Sequence, residues 1–239
     1  MAISFSWNAC AQKPSSTKTK TMTESTPKIR IDIWSDVVCP FCLIGKAKLE
    51  QSIARLHAQD RFEIVWHSYQ LDPEFPVGSA MPSAQYLQER KGISEGDMQG
   101  MFQYISESGK NYGIDFRFNQ SLSYNTRDVH RIWQWTQTQG KASAFKQAIM
   151  KAHFTDGIDL SKRENIVAIT NSLQLDAREV ENILNNKNLY ATEVDRDLKQ
   201  AETLRIQGVP YFLINGKHVI SGAQPDALFD QTLQTALAH

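Results

Sequence analysis

The chain has 239 residues, 41% of them hydrophobic and 22% charged, and its 26 Lys and Arg balance 26 Asp and Glu for a formal charge of zero. Balanced charge with a pI near 7.0 excludes the basic footprint of a nucleic-acid binder and the polybasic surface of a protein held to an anionic membrane. No run reaches the ~18 apolar residues of a membrane-spanning helix, and three cysteines in so long a chain are too few for a disulfide scaffold. At roughly 100–200 residues per domain, the length admits one large domain or a small domain carrying an insertion.

Residues 1–28 are rich in Ser, Thr and Lys, contain Pro14 and Pro27, and lack periodic apolar positions, so they read as a disordered extension. The start has no early Lys or Arg, and Ser4, Ser6 and Asn8 interrupt its apolar residues, which does not fit a secretory signal. Met22 is a candidate alternative start, and Cys10 reads as an incidental exposed thiol. From Ile29 to Trp34, Ile29, Ile31 and Ile33 alternate with Arg30, Asp32 and Trp34, the period-two pattern of a strand. Cys39-Pro40-Phe41-Cys42 then opens a helix, with Pro40 in its first turn and Leu43, Ile44, Ala47, Leu49, Ile53 and Leu56 along one stripe. Phe62, Ile64 and Trp66 alternate again and end before Pro73 and Pro76, which completes a β-α-β unit with a cysteine pair at its first turn.

Residues 77–206 read as an all-helical domain inserted between the second and third strands. Start signals lie at Ser83, Ser94 and Asn125, at Ser161 with Glu164 as a capping box, and at Asp176 with Glu179. Ala142 to Phe154 reads as a helix, and a longer one spans Tyr190 to Ile206, up to Gly208. Lys and Arg along these helices read as solvated faces, and the five tryptophans as packing. Tyr211–Ile214 and Val219–Ser221 flank Asn215-Gly216, a strong hairpin signal, and a terminal helix carries Leu228, Phe229, Leu233 and Leu237. A core domain of residues 29–76 and 207–239 thus surrounds the insertion.

Cys39 and Cys42 carry the chemistry. A thiolate attacks disulfides, and the unpaired N–H groups and dipole of a helix N-terminus stabilise that anion, so Cys39 is expected to have a lowered pKa. Cys42 sits one turn later, within reach to resolve a mixed disulfide. A structural zinc site needs about four ligands, and no second pair or close histidine pair accompanies these two, so no metal is expected. Pro210, in Gly208-Val209-Pro210-Tyr211, begins a strand where a missing N–H is tolerated. A cis Val209–Pro210 bond facing the cysteines would leave the Val209 backbone free to pair with an extended substrate. Asp32, a strand acid ahead of the pair, is a candidate proton relay for Cys42.

The segments Asp36–Gly45, Trp66–Pro73 and Gly208 to Gly222 resemble the FrnE-like branch of the DsbA family of thioredoxin-fold proteins, from about Lys28 to the C-terminus. The resemblance implies a thioredoxin-like α/β fold with an inserted helical domain, Cys39 as exposed nucleophile, Cys42 as resolving thiol, and Pro210 as a cis-proline beside them. Phe41 stands where this branch commonly has Trp, and with Pro40, Val209 and Pro210 it is a candidate substrate contact. The family is related to 2-hydroxychromene-2-carboxylate isomerase and kappa-class glutathione transferases, which typically carry Ser at the position of Cys39 and lack the second thiol. Asn125, Thr126 and His130 resemble a helix-start pattern shared by these branches.

The expected activity is that of a thiol-disulfide oxidoreductase or isomerase needing no cofactor. Its partners would be protein or small-molecule thiols and disulfides, with glutathione a plausible redox partner, and nucleic acid and membrane are not expected. A cytoplasmic, reducing compartment fits a C-x-x-C pair without an export signal. The alternatives are a glutathione-dependent isomerase or transferase of the same fold, and a non-enzymatic chaperone that holds apolar clients.

Overall fold

The computed structural model describes residues 27–238. The readings of residues 1–26, including Cys10 and Met22, lie outside them. Strand β1 (Ile29–Ser35) leads through a four-residue turn into helix α1 (Pro40–Arg55), and a short 3-10 turn precedes β2 (Phe62–Ser68). β1 and β2 run parallel with Ile31 opposite Ile64 and Ile33 opposite Trp66.

The chain then enters the insertion: β3 (Ala80–Pro82), α2 (Ser83–Lys91), α3 (Glu95–Lys110), β4 (Leu122–Tyr124), α4 (Arg127–Thr138), α5 (Ala142–Phe154), α6 (Arg163–Ser172), α7 (Ala177–Asn185) and α8 (Ala191–Thr203). It returns as β5 (Tyr211–Ile214), β6 (His218–Ser221) and α9 (Asp226–Leu237). The main sheet has the order β2-β1-β5-β6, with β5 antiparallel to β1 and to β6.

The insertion follows the second strand of this sheet and precedes the third, as the sequence predicts, but it is not purely helical. β3 and β4 form a separate antiparallel pair. Ser94 caps α3 by accepting the Asp97 N–H at 3.2 Å, and Asp176 caps α7 by accepting that of Arg178 at 2.9 Å. Ser161 does not cap α6, which starts at Arg163 behind Lys162; its hydroxyl donates instead to Asp159 Oδ1 at 2.6 Å. Asn215 and Gly216 both take left-handed φ, 53° and 64°, as a tight hairpin turn requires.

Alternation along β1 sorts its side chains between two cores. Ile31 and Ile33 join α1, α9, Phe212 and Ile214 on one face, whereas Trp34 packs against Ala201 and Ile206 on the other. On Trp34's face lies a buried clasp. His67 stacks on Trp34 with ring centroids 4.4 Å apart, and its Nε2 meets Asp32 Oδ1 at 2.6 Å and its Nδ1 Asp197 Oδ1 at 3.0 Å. Asp197, on α8, also accepts the Ser68 N–H at 2.8 Å and the Gln134 amide at 2.5 Å. This network ties two core strands to α4 and α8 of the insertion.

Not all the basic residues of the helices face water. Arg131 is buried and donates to the carbonyls of Leu189, Ile183 and Asn186 and to Asp128, so it closes the C-terminal end of α7. Lys146 is buried as well. Among the described residues, no helix is long and apolar enough to cross a membrane.

Candidate active site

The turn between β1 and α1 is pinned by Asp36, a residue the sequence motif contains without revealing its task. Its buried carboxylate accepts the N–H groups of Val37 at 2.7 Å and Leu71 at 2.8 Å, and His130 Nε2 lies 3.1 Å from the same group. Those bonds fix where β1 ends and α1 begins. Cys39 takes the N-cap position of α1 in extended conformation, with Pro40 as the first helical residue, where a missing N–H is harmless.

Both Cys39 and Cys42 are free thiols. Cys39 is not exposed as the resemblance implies: the residue is only 4% accessible and Cys42 only 1%. The Cys39 Sγ–H donates to the carbonyl of Val209 at 3.4 Å, and the Val209–Pro210 bond is cis. The proline loop therefore faces the cysteine turn. Gly45 allows the approach, because a Cβ there would lie 2.9 Å from Pro210 Cγ and 3.1 Å from Phe212 Cζ.

The electrostatics also depart from the expected lowering at Cys39. The hydrogen bond with Cys42 comes first and burial second in pushing the Cys39 thiol well up. Burial works against the Cys42 anion too, but the Cys39 S–H, the charge of Lys146 and the Ser35 hydroxyl offset it and lower the Cys42 pKa. Among the described residues the Ser35 hydroxyl has no hydrogen-bond partner, and it favours the ionised form of Cys42. The two thiols are thus coupled, and the inner one ionises more readily than the outer. The helix N-terminus is outweighed at Cys39 by the hydrogen bond with Cys42 and by burial.

Cys39 opens onto a cleft of about 340 Å3. Pro40, Phe41 and Val209 line it beside the cysteine, and α2, α3 and the segments around β4 contribute Tyr86, Leu87, Met101, Phe102 and Phe118. An apolar cleft of this size with a few polar groups is the usual form of a small-ligand site. Thr126 lines it as well, while Asn125 donates to the Pro73 and Phe75 carbonyls at 3.1 and 2.7 Å and holds the strand exit.

The structure does not bring Asp32 to the cysteines. It lies on the Trp34 face of β1, where Arg30 and His67 hold its carboxylate. Burial opposes that carboxylate's charge, but its bonds to His67 and Arg30 prevail and lower its pKa. A buried ionisable group whose charge acts on Cys42 comes from the insertion instead. Lys146 Nζ is buried without a hydrogen-bond partner, 3.4 Å from the Trp66 ring centroid and 5.2 Å from that of Trp133. Burial lowers its pKa to about 7, against the opposing pull of Cys42. A lysine within a helix gives no sequence signal for this position. Among the described residues, no three His, Cys, Asp or Glu side chains are grouped so as to hold a metal ion.

A buried dithiol at a helix N-terminus, facing a cis-proline loop on a sheet of order β2-β1-β5-β6, defines a thioredoxin-fold dithiol protein. The chain belongs to the DSBA-like thioredoxin domain family, whose model matches residues 30–234. It is similar to the structure of a probable DsbA oxidoreductase from Streptomyces coelicolor, at 30% identity and a TM-score of 0.84 over 88% of this chain and 91% of that one. Two more distant structures share the fold. One is 2-hydroxychromene-2-carboxylate isomerase, at 20% identity and a TM-score of 0.63 over 87% of this chain and 94% of that one. The other is the cytosolic disulfide reductase DsbM from Pseudomonas aeruginosa with GSH, at 15% identity and a TM-score of 0.59 over 88% of this chain and 100% of that one.

Proposed function

We propose that this protein is a thiol-disulfide oxidoreductase in which Cys39 attacks the substrate and Cys42 resolves the intermediate. One observation carries the reading: two free thiols meet at the start of α1, and the outer one opens onto an apolar cleft opposite the Val209 carbonyl. Family membership supports the class of reaction.

The coupled ionisation of the pair sets the order of events. A substrate disulfide entering the cleft displaces the contact between Cys39 and Val209, and in the singly ionised pair the remaining proton shifts from Cys39 to Cys42. The Cys39 thiolate then attacks one substrate sulfur, forming a mixed disulfide, and the other sulfur departs with its electron pair as a thiolate. Attack of Cys42 on the Cys39 sulfur releases the second thiol and leaves a Cys39–Cys42 disulfide. Two thiols of the glutathione class return the pair to the dithiol: the first bonds to Cys39 and expels Cys42, the second attacks the first, and they leave as their disulfide; no metal or organic cofactor takes part.

Phe41 and the ring-lined wall favour disulfides flanked by apolar groups, in proteins or small molecules. A reducing, cytoplasmic compartment suits a C-x-x-C pair that acts in exchange. The presence of Cys42 favours exchange over the isomerase reading, in which a single nucleophile suffices. Reduction of an apolar-flanked disulfide peptide by the dithiol protein tests the reading: one equivalent of substrate reduced per protein supports it, and none overturns it.

A further inference from the structure

Resolution of the mixed disulfide poses a problem that the cysteines alone do not solve. While Cys39 is bonded to substrate, Cys42 is a lone thiol, 1% accessible, and it must lose a proton to attack. Water has little access to it. The acids of β1 and of the turn after it are committed elsewhere: Asp32 to Arg30 and His67 on the opposite face, and Asp36 to Val37, Leu71 and His130.

We propose that Lys146, carried in from the inserted helix α5, is the proton acceptor for the Cys42 thiol. The assignment rests on the oxidoreductase reading above. Lys146 Nζ sits 3.4 Å from the ring centroid of Trp66, which pairs with Ile33 in the sheet, and Trp66, Ile33, Trp133 and Cys42 share one core; from there its charge lowers the Cys42 pKa. The Nζ is enclosed, donates no hydrogen bond among the described residues, and lies against the faces of Trp66 on β2 and Trp133 on α4. A lysine kept for packing alone would be expected to satisfy its ammonium donors or reach for solvent. The charged and titratable groups acting on it lie on α1: Cys42 and Cys39 favour its charge, as does Glu50, and Lys46 opposes it. Lys46 and Glu50 pair with each other at 2.6 Å, so their effects on it largely cancel. With burial holding its pKa near 7, the amine is poised to exchange a proton at neutral pH.

The step balances as follows. In the mixed disulfide no thiolate remains nearby, and Lys146 is a neutral amine. As Cys42 Sγ forms its bond to Cys39 Sγ, its proton moves to Nζ, the bond from Cys39 to the substrate sulfur breaks, and that sulfur leaves with its electron pair. The ammonium then yields its proton to the departing thiolate, and the amine is restored. In the reverse direction the ammonium protonates the emerging Cys42 thiolate. The insertion would thereby supply the exchange chemistry with a group that β1 does not.

Single-turnover release of product from the preformed mixed disulfide, followed from pH 6 to 10, tests the assignment. Lys146→Met should slow release at pH 7 by about 100-fold, the size of a lost general base, and the loss should shrink toward pH 10 as Cys42 ionises unaided. A slowing equal at all pH values would mark a packing role and overturn the proposal. Because a Met variant could fold poorly, the wild type supplies a second readout: the Lys146 side-chain resonance, titrated by NMR, should show a higher midpoint in the dithiol than in the disulfide. Equal midpoints in the two forms overturn the proposal while leaving the oxidoreductase reading intact. A wild type that forms no mixed disulfide with any disulfide substrate overturns both.

Discussion

The Sγ of Cys39 stands 3.4 Å from the carbonyl oxygen of Val209, so residues 170 positions apart in the sequence meet at the reacting atom. A carbonyl acceptor favours the protonated form of the outer thiol and gives substrate something to displace. It also ties the reactivity of Cys39 to the placement of the proline loop.

The division of labour between the thiols is separable by substitution. Cys42→Ser should retain attack but lose resolution, and should accumulate a stable adduct with disulfide substrates, whereas Cys39→Ser should form none. Non-reducing intact mass after mixing with an apolar disulfide peptide checks this. Adducts on both variants in equal amounts would deny Cys39 its role.

Gly45 sets how closely α1 approaches the loop. Gly45→Ala gains about 1 kcal/mol of helix propensity, but its Cβ would press on Pro210 Cγ at 2.9 Å and Phe212 Cζ at 3.1 Å, and overpacking costs about 1–3 kcal/mol. A net loss on the order of 1 kcal/mol is expected, together with slower exchange as Pro210 moves away from Cys39. Thermal unfolding and turnover measure both, and a stabilised variant of unchanged rate would contradict the close approach.

The clasp around His67 gives stability a pH dependence with two limbs. Burial opposes the His67 charge, but its bonds to Asp197 and Asp32 prevail and raise its pKa. Its contribution is therefore complete below the unfolded value of about 6.5 and is lost as pH rises through the higher folded value. Asp32 has a lowered folded pKa, so its contribution is present above about pH 3.9 and is lost as pH falls through the folded value. The difference in unfolding free energy between wild type and His67→Asn should thus be largest between about pH 4 and 6.5, reaching about 3–5 kcal/mol for a broken buried ion pair. A difference independent of pH would show that the imidazole is neutral in the fold.

The cleft wall should govern substrate choice. Phe102→Glu places a charge where an apolar group is to be buried, and losing the burial of one such side chain corresponds to roughly 1.5–3 kcal/mol. The kcat/KM for an apolar-flanked disulfide should fall at least about tenfold relative to that for glutathione disulfide. Equal losses for both substrates would place binding outside the cleft.

Much of this arrangement was legible in the sequence. Alternation at Ile29–Trp34, the Cys-Pro-Phe-Cys helix start and the Asn215-Gly216 turn each reflect a local backbone preference, and each lies where the local pattern puts it. The β3 and β4 strands were not legible, because three residues apiece show no period and their pairing is set by the fold around them. Asp32 looked suitable by its closeness to the cysteines in sequence, yet the period of two turns it to the other face. Lys146 and Arg131 were hidden for the opposite reason. Helical charge usually means solvent, and only the tertiary surroundings, two indole faces for one and three carbonyls for the other, bury these two.

The central claim is that Cys39 and Cys42 form a reversible two-electron couple that turns over disulfides. Equilibrating the protein across a series of reduced and oxidised glutathione ratios, alkylating free thiols and reading the intact mass measures it directly. A single transition between dithiol and disulfide, abolished by either Cys→Ser substitution and accompanied by reduction of a disulfide substrate, is the expected result. Thiols that stay reduced at every ratio, or a protein that cycles without acting on any disulfide, would contradict the account.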